Sequence, residues 1–212
     1  MQKDKYEAMG FTLVEMIIAM AIGMMVLGAL YSVFMLQNRT FPIQEQIAEM
    51  QQNARTGMEI MLRDILMAGY NPTKTTLWSG GTQPGLTGAT ANSLSYVSDL
   101  NADGDTTDTS SNAEENITYE RYDESGVSCL GRTANGTRQP VVENIESLAF
   151  VYYDGDGNTL STPPSLSNVR KIQVTITAKT ALPDPSYLNS IYGDHYRRYS
   201  LMFDVTPRNF GL

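Results

Sequence analysis

An uncharged run of 21 residues, 16–36, constrains this chain more than any other feature of its sequence. About 20 mainly apolar residues in a helix are enough to cross the hydrocarbon core of a bilayer. A secretory signal peptide would place a shorter apolar core before a small-residue cleavage site. Here a short polar leader, residues 1–10, comes first, and Gly10 and Phe11 open the apolar stretch. Cleavage between Gly10 and Phe11 would therefore leave the apolar segment in the mature protein.

Glu15 lies just inside this apolar stretch. A carboxylate near the start of a membrane helix is costly unless it is paired. Two interpretations are open at this point. Glu15 lies at the membrane interface and reaches water, or it meets a cation in a neighbouring subunit. The amine that cleavage would create on Phe11 is a candidate for that cation.

Residues 9–15, which read M-G-F-T-L-V-E, resemble the prepilin leader motif of type IV pilins and type II secretion pseudopilins. In that family a membrane peptidase cuts after the glycine and N-methylates the next residue. The resemblance implies cleavage after Gly10, methylation of Phe11 and a role for Glu15 in filament assembly.

The helical period continues beyond the apolar run, because apolar residues recur every three or four positions along residues 43–68. These positions are Ile43, Ile47, Met50, Ala54, Met58, Met61, Ile65 and Ala68. We expect Pro42 to kink the helix and Gly69 to cap it. The end of this segment, residues 63–70, resembles the helix end of PilW-like minor pilins, and GspJ-type pseudopilins share the general layout.

The rest of the chain has the pattern of an antiparallel sheet with one solvated face. A loop is predicted at residues 79–92, and strands are predicted at 94–98, 117–122, 145–153, 169–179 and 199–205. The predicted fold is α+β: a long kinked N-terminal helix, membrane-spanning in its first half, packed on an antiparallel sheet. The predicted divisions are a leader (1–10), a transmembrane or filament-core helix (11–38), an amphipathic helix (39–69) and a β-rich head (70–212).

One acidic segment has the spacing of a calcium loop, in which oxygens at alternate positions converge on one ion. Its candidate ligands are Asp99, Asn101, Asp103 and Asp105. Ser110 stands where an EF-hand loop would carry a bidentate glutamate, and Glu114 or Glu115 could replace it. A solvated acidic loop is the alternative. We therefore expect weak or no Ca²⁺ binding unless the fold brings Glu114 or Glu115 near Asp99.

A second acidic run at residues 154–158 contains two glycines and follows a predicted strand, so a turn is expected there. Cys129 is the sole cysteine and His195 the sole histidine, which excludes an intrachain disulfide and most metal or nucleophile constellations. We expect Cys129 to be a small, partly buried side chain. The sequence therefore predicts no enzyme and no resident cofactor apart from the candidate Ca²⁺.

The net charge of −8 argues against a nucleic-acid-binding protein. The predicted function is a structural filament subunit. The resemblance implies a minor type IV pilin that helps to prime or cap the pilus. A GspJ-like pseudopilin, or an adhesive or calcium-binding module carried by a filament, are the alternatives. The implied partners are major and minor pilins, the prepilin peptidase, the inner-membrane assembly platform and membrane lipid. The implied location is the bacterial inner membrane with the head in the periplasm, and then an extracellular pilus or a periplasmic pseudopilus.

Overall fold

The structure, a computed structural model, describes residues 10–72, 85–103, 106 and 114–210. The chain divides into two compact units, Met1–Glu45 and Gln46–Leu212. One helix, α1, runs through Leu13–Met67 and contributes residues to both units. All strands among the described residues belong to the second unit.

Helix α1 continues through Pro42 as one element, and the kink expected there stays a prediction. Proline lacks the N–H that would bond to the carbonyl four residues earlier. That carbonyl belongs to Asn38, an exposed residue, where water can replace the missing donor. Gly69 follows the helix end with φ of +77°, a conformation that favours glycine because it lacks Cβ. The predicted glycine cap is therefore confirmed.

The first sheet is an antiparallel meander of five strands in the order β1-β2-β3-β4-β5. The strands are β1 (Leu86–Ala89), β2 (Ser93–Val97), β3 (Asn116–Glu124), β4 (Val127–Ala134) and β5 (Thr137–Glu143). The β3–β4 and β4–β5 turns place Ser125-Gly126 and Asn135-Gly136 at positive φ. Two-residue hairpin turns of this kind follow the twist of the strands that they connect.

The second sheet contains three antiparallel strands in the order β6-β7-β8. They are β6 (Ile145–Tyr153), β7 (Lys171–Lys179) and β8 (Arg198–Val205). The alternation predicted for β7 is confirmed, because every second side chain is fully buried: Ile172, Val174, Ile176 and Ala178. These side chains form the centre of the core on this sheet.

The predicted helix packed on antiparallel strands is confirmed, but the single predicted sheet was wrong, since the strands divide between two sheets. Strands β1, β4 and β5 were not predicted. β1 lies within the predicted loop at 79–92. Four consecutive residues of β4 are buried, so the alternation that marks a strand is missing. β5 is an edge strand, mostly exposed, and contains Pro140, a residue that normally argues against a strand.

The second part of α1 packs on both sheets. The predicted apolar face is buried at Met50, Ala54, Met58, Met61, Ile65 and Ala68. The helix comes close to the sheets at Gly57, where a Cβ atom would lie 2.9 Å from Val142 Cγ2, 3.1 Å from Leu130 Cδ2 and 3.2 Å from Ile176 Cδ1. Since these neighbours belong to β5, β4 and β7, the glycine lets the helix lie against both sheets at once.

A polar contact also connects α1 to the first sheet. Asp64 Oδ2 accepts hydrogen bonds from Arg132 Nε at 2.8 Å and from the Tyr119 hydroxyl at 2.7 Å. Arg132 also pairs with Glu114. Burial, followed by the negative charge of Asp64, raises the pKa of Tyr119 well above its usual range. The hydroxyl therefore stays protonated and donates to the carboxylate.

We expect Asp64→Asn to destabilise the fold by roughly 1–3 kcal/mol, because the partly buried Arg132 loses the less exposed of its two carboxylate partners and keeps Glu114 alone. Thermal unfolding of the detergent-solubilised chain measures the change. Glu59→Gln is the control, since Glu59 pairs with Arg63 on the fully solvated side of the same helix and such pairs contribute about 1 kcal/mol at most. Equal effects of the two substitutions would contradict the role given to Asp64.

Candidate functional site

The N-terminal candidate site begins with an exposed, non-helical segment. Residues 10–12 precede α1, and Gly10 and Phe11 are both exposed. Gly10 has no atom within 4 Å of where a Cβ would stand. Proteolysis favours exposed chain outside regular structure, and the peptide bond between Gly10 and Phe11 meets both conditions. Its cleavage and the methylation of Phe11 stay predictions.

Thr12 and Glu15 form a capping box at the start of α1. The Thr12 hydroxyl accepts a hydrogen bond from the Glu15 N–H at 3.2 Å, and Glu15 Oε2 accepts from the Thr12 N–H at 2.8 Å. The Thr12 hydroxyl also donates to Glu15 Oε2 at 2.9 Å. This reciprocal arrangement satisfies N–H groups that a helix start leaves without partners. Glu15 therefore has a role inside its own chain that neither of the two sequence interpretations included.

The capping box could have been found in the sequence. A threonine or serine followed three residues later by glutamate, just before an apolar run, is typical of a helix N-terminus. Thr12 and Glu15 have that spacing. The resemblance to the prepilin motif directed attention to contacts between subunits and away from this local one.

The apolar run presents its large side chains outward. Every large hydrophobic residue between Leu13 and Leu36 is at least 40% exposed. Among the described residues, α1 is the one helix long and apolar enough to cross a membrane. Water is a poor environment for such a surface, since each large apolar side chain favours burial by roughly 1.5–3 kcal/mol. Lipid or other apolar helices would cover it at no such cost.

Hydroxyl groups in and beside this run are satisfied by the helix itself. Ser32 donates to the Gly28 carbonyl at 2.9 Å, and Thr40 donates to the Leu36 carbonyl at 3.1 Å. A polar group that enters hydrocarbon must find its partner within the protein. These side chains therefore add little to the cost of placing α1 in an apolar environment.

The acidic candidate loop is partly described. Asp99 is buried and Asp103 is exposed. The Asn101 side chain accepts from the Asp103 N–H at 3.0 Å and donates to the Asp103 carboxylate at 2.7 Å. Asp105, Gly104 and Ser110 lie outside the described residues. In this geometry no three Asp, Glu, His or Cys side chains of the described residues converge as metal ligands would.

The fold distinguishes the two glutamates proposed to complete this loop. Glu114 turns to Arg132. Glu115 is fully buried, and its Oε1 accepts hydrogen bonds from the N–H groups of Leu100 at 2.9 Å and Asn101 at 3.1 Å. The predicted condition for Ca²⁺ binding, a glutamate beside the Asp99 loop, is therefore met by Glu115.

The second acidic run is a turn, as predicted. Asp154 Oδ1 accepts from the N–H groups of Asp156 at 3.0 Å and Asn158 at 2.8 Å, and Asp154 Oδ2 accepts from Asn158 Nδ2 at 3.1 Å. Hydrogen bonds from Asn158 lower the pKa of Asp154. The carboxylate is used to hold the turn, which leaves little reason for a metal there.

The sole cysteine and the sole histidine lie apart from these features. Cys129 is buried in β4, more deeply than expected, and burial raises the pKa of its thiol, which disfavours the reactive thiolate. His195 is exposed, and its Nδ1 contacts the Tyr187 carbonyl. Neither residue lies near the capping box or the Asp99 loop in sequence.

Residues 10–31 match the family described as the prokaryotic N-terminal methylation motif. No curated protein matches the chain at a significant level. Among solved structures, a type IV-like pilin from Thermus thermophilus is similar at a TM-score of 0.47 and 11% sequence identity, over 76% of this chain and 98% of that chain. The chain thus carries the prokaryotic N-terminal methylation motif over residues 10–31, where the exposed N-terminal segment leads into α1.

Proposed function

We propose that this chain is a minor type IV pilin, a non-catalytic structural subunit that helps to prime or cap pilus assembly. The observation that carries the proposal is the methylation motif at residues 10–31, placed at the start of a helix whose apolar side chains are exposed. A helix of this kind has two environments that cover it, lipid and a bundle of similar helices.

These two environments suggest a sequence of events. The precursor enters the inner membrane, the prepilin peptidase cuts after Gly10 and methylates Phe11, and the mature chain then moves from lipid into a filament. Because both environments are apolar, the transfer exchanges one cover for another with little hydrophobic cost. The buried core of the described residues runs from Met50 onward and lies within the second unit, which can stay folded throughout.

The minor-pilin assignment is supported by the resemblance of residues 63–70 to PilW-like helix ends. In the structure this segment holds Asp64, which joins α1 to β3 and β4, and Gly69, which ends the helix beside the Val97 carbonyl at 2.9 Å. The aspartate and the glycine of this segment therefore each connect the end of α1 to the first sheet. A GspJ-like pseudopilin would use the same N-terminal chemistry, and the genes beside this one distinguish the two systems.

Processing is the first test. Mass spectrometry of the membrane-extracted protein should find an N-terminus at methylated Phe11, with residues 1–10 removed. Gly10→Val is the matched change, because a branched side chain next to the cut should block cleavage while leaving the exposed segment otherwise free of contacts. An intact leader in the unchanged protein, or a cut after residue 36 that removes the apolar run, would contradict the proposal.

A further inference from the structure

Glu115 is a buried carboxylate in which one oxygen is hydrogen-bonded and the other has no hydrogen-bond partner. Its Oε1 accepts the N–H groups of Leu100 and Asn101. Its Oε2 is inaccessible to solvent and has no hydrogen-bond partner. A buried polar atom without a partner is uncommon and costly, and a charged one is more so. This oxygen lies in the loop that the sequence singled out for its alternating oxygens.

The surroundings of Glu115 increase the free-energy cost of keeping its carboxylate charged. Burial, together with the negative charges of Asp99 and Asp103, raises the pKa of Glu115 above its ordinary value. Two backbone hydrogen bonds hold residue 115 in place. The Glu115 carbonyl accepts from the Ser98 N–H at 2.9 Å, and the Glu115 N–H donates to Asn135 Oδ1 at 3.3 Å. The backbone of Glu115 is therefore fixed between Ser98, next to Asp99, and Asn135 in the β4–β5 turn, which keeps the side chain beside the acidic loop.

We propose that Asp99, Asn101, Asp103 and Glu115 form a Ca²⁺ site. All four supply oxygen, and Ca²⁺ accepts six to eight oxygen ligands, including waters, in flexible geometry. The ion would neutralise the cluster of like charges and give Glu115 Oε2 the partner that it lacks. In this arrangement Glu115, rather than a residue at position 110, takes the part of the closing glutamate of a calcium loop.

Binding would require a local movement, because the carboxylates do not converge around a common point in the present geometry. Asp103 is exposed, so its side chain can turn inward without disturbing the core. Glu115 and Asp99 are already buried. The exposed Asp103 would therefore make the larger movement, exchanging its hydrogen bond with Asn101 for the ion, while Asp99 and Glu115 stay buried.

Calcium titration of the full-length chain in detergent, after removal of bound ions with a chelator, tests the site. Extracellular modules bind Ca²⁺ with dissociation constants of roughly 0.1–1 mM, and we expect a value in that range. Saturation near 10 mM CaCl₂ should raise the melting temperature by roughly 3–10 °C. The same concentration of MgCl₂ should have a much smaller effect, because Mg²⁺ demands a stricter octahedral site.

Glu115→Gln is the decisive variant. Its amide oxygen can still accept from Leu100 and Asn101, so the loop keeps its support, while the charge that binds Ca²⁺ is gone. We expect the Ca²⁺ response to fall at least ten-fold in this variant and in Asp103→Asn, and the ion-free Glu115→Gln protein to melt no lower than the unchanged one. Glu114→Gln is the matched control, and it should bind Ca²⁺ as before.

Three results would overturn the site. The unchanged protein could melt at the same temperature with and without 10 mM CaCl₂. The Glu115→Gln protein could respond to Ca²⁺ as strongly as the unchanged one. MgCl₂ or NaCl at matched ionic strength could produce the same shift, which would mean that the acidic loop is merely screened. None of these measurements involves filament assembly, so the proposed function stands or fails separately.

Discussion

Glu15→Gln is expected to leave the chain inserted in the membrane and cleaved after Gly10, yet to exclude it from filaments. Glutamine preserves the capping box, because its side-chain oxygen can accept from the Thr12 N–H as glutamate does. It removes the negative charge that we propose as the partner of the Phe11 amine in a neighbouring subunit. Breaking one side of a buried ion pair costs about 3–5 kcal/mol, which corresponds to a loss of incorporation of at least a hundred-fold.

The matched variants separate the charge from the cap. Glu15→Ala removes both and should also block incorporation, while easing membrane insertion since no carboxylate then enters hydrocarbon. Thr12→Ala removes the capping hydroxyl but keeps the charge, and it should cost only about 1 kcal/mol of helix stability. We expect Thr12→Ala to be incorporated nearly as well as the unchanged protein.

Immunoblots of membranes for the cleaved form, and of sheared filaments for incorporation, measure both parts. Normal incorporation of the Glu15→Gln protein together with loss of the Glu15→Ala protein would show that the cap matters and the charge does not. Loss of either variant from the membrane would point to folding of the monomer instead. Each pattern would contradict the pairing role of Glu15.

Gly85→Ala is expected to produce the largest loss of stability among alanine substitutions at the described glycines of the head. A Cβ at this position would lie 1.9 Å from Gly69 N, 2.4 Å from Gly69 Cα and 2.6 Å from the Ala68 carbonyl carbon. All three are backbone atoms, so no side chain can turn away to make room. The Gly69 N–H donates to the Val97 carbonyl at 2.9 Å, and the Val97 N–H donates to the Gly85 carbonyl at 2.6 Å.

The clash can therefore be relieved only by breaking hydrogen bonds where α1 meets the first sheet. We expect a loss of about 3 kcal/mol, at the upper end for overpacking, and a fall in melting temperature of roughly 6–12 °C. Gly88→Ala in the adjoining strand β1 is the control, because its Cβ would lie 3.4 Å from Ser95, an ordinary contact. If Gly85→Ala melts within about 2 °C of that control, the close packing of Gly85 against Gly69 is contradicted.

The parts of the fold that the sequence predicted are those with strong local patterns. The period of three or four along residues 43–68 placed the buried face of α1, because a helix repeats its geometry every 3.6 residues. The alternation in residues 171–179 placed β7 for the same kind of reason. β4 escaped prediction because it buries four residues in succession, and such a run does not distinguish one secondary structure from another.

At the acidic loop the local sequence pattern was not enough to predict which glutamate lies beside Asp99. Spacing suggested ligands at Asp99, Asn101 and Asp103 but left Glu114 and Glu115 as equal alternatives. Successive residues of an extended chain point to opposite sides. The tertiary structure therefore sends Glu114 to Arg132 and Glu115 into the loop, a choice that depends on β4 and on the position of residues 98–101.

The sequence by itself determined the N-terminal region, since a methylation motif, an uncharged run of 21 residues and a helix-capping pair are each complete within a few neighbouring residues. Only the tertiary structure decided that the strands form two sheets, that Gly57 and Gly85 leave no room for a Cβ, and that Glu115 rather than Glu114 is buried. These features depend on which segments, distant in sequence, pack against each other and exclude water. A local stretch of sequence does not specify such contacts, because each contact needs two surfaces that fit.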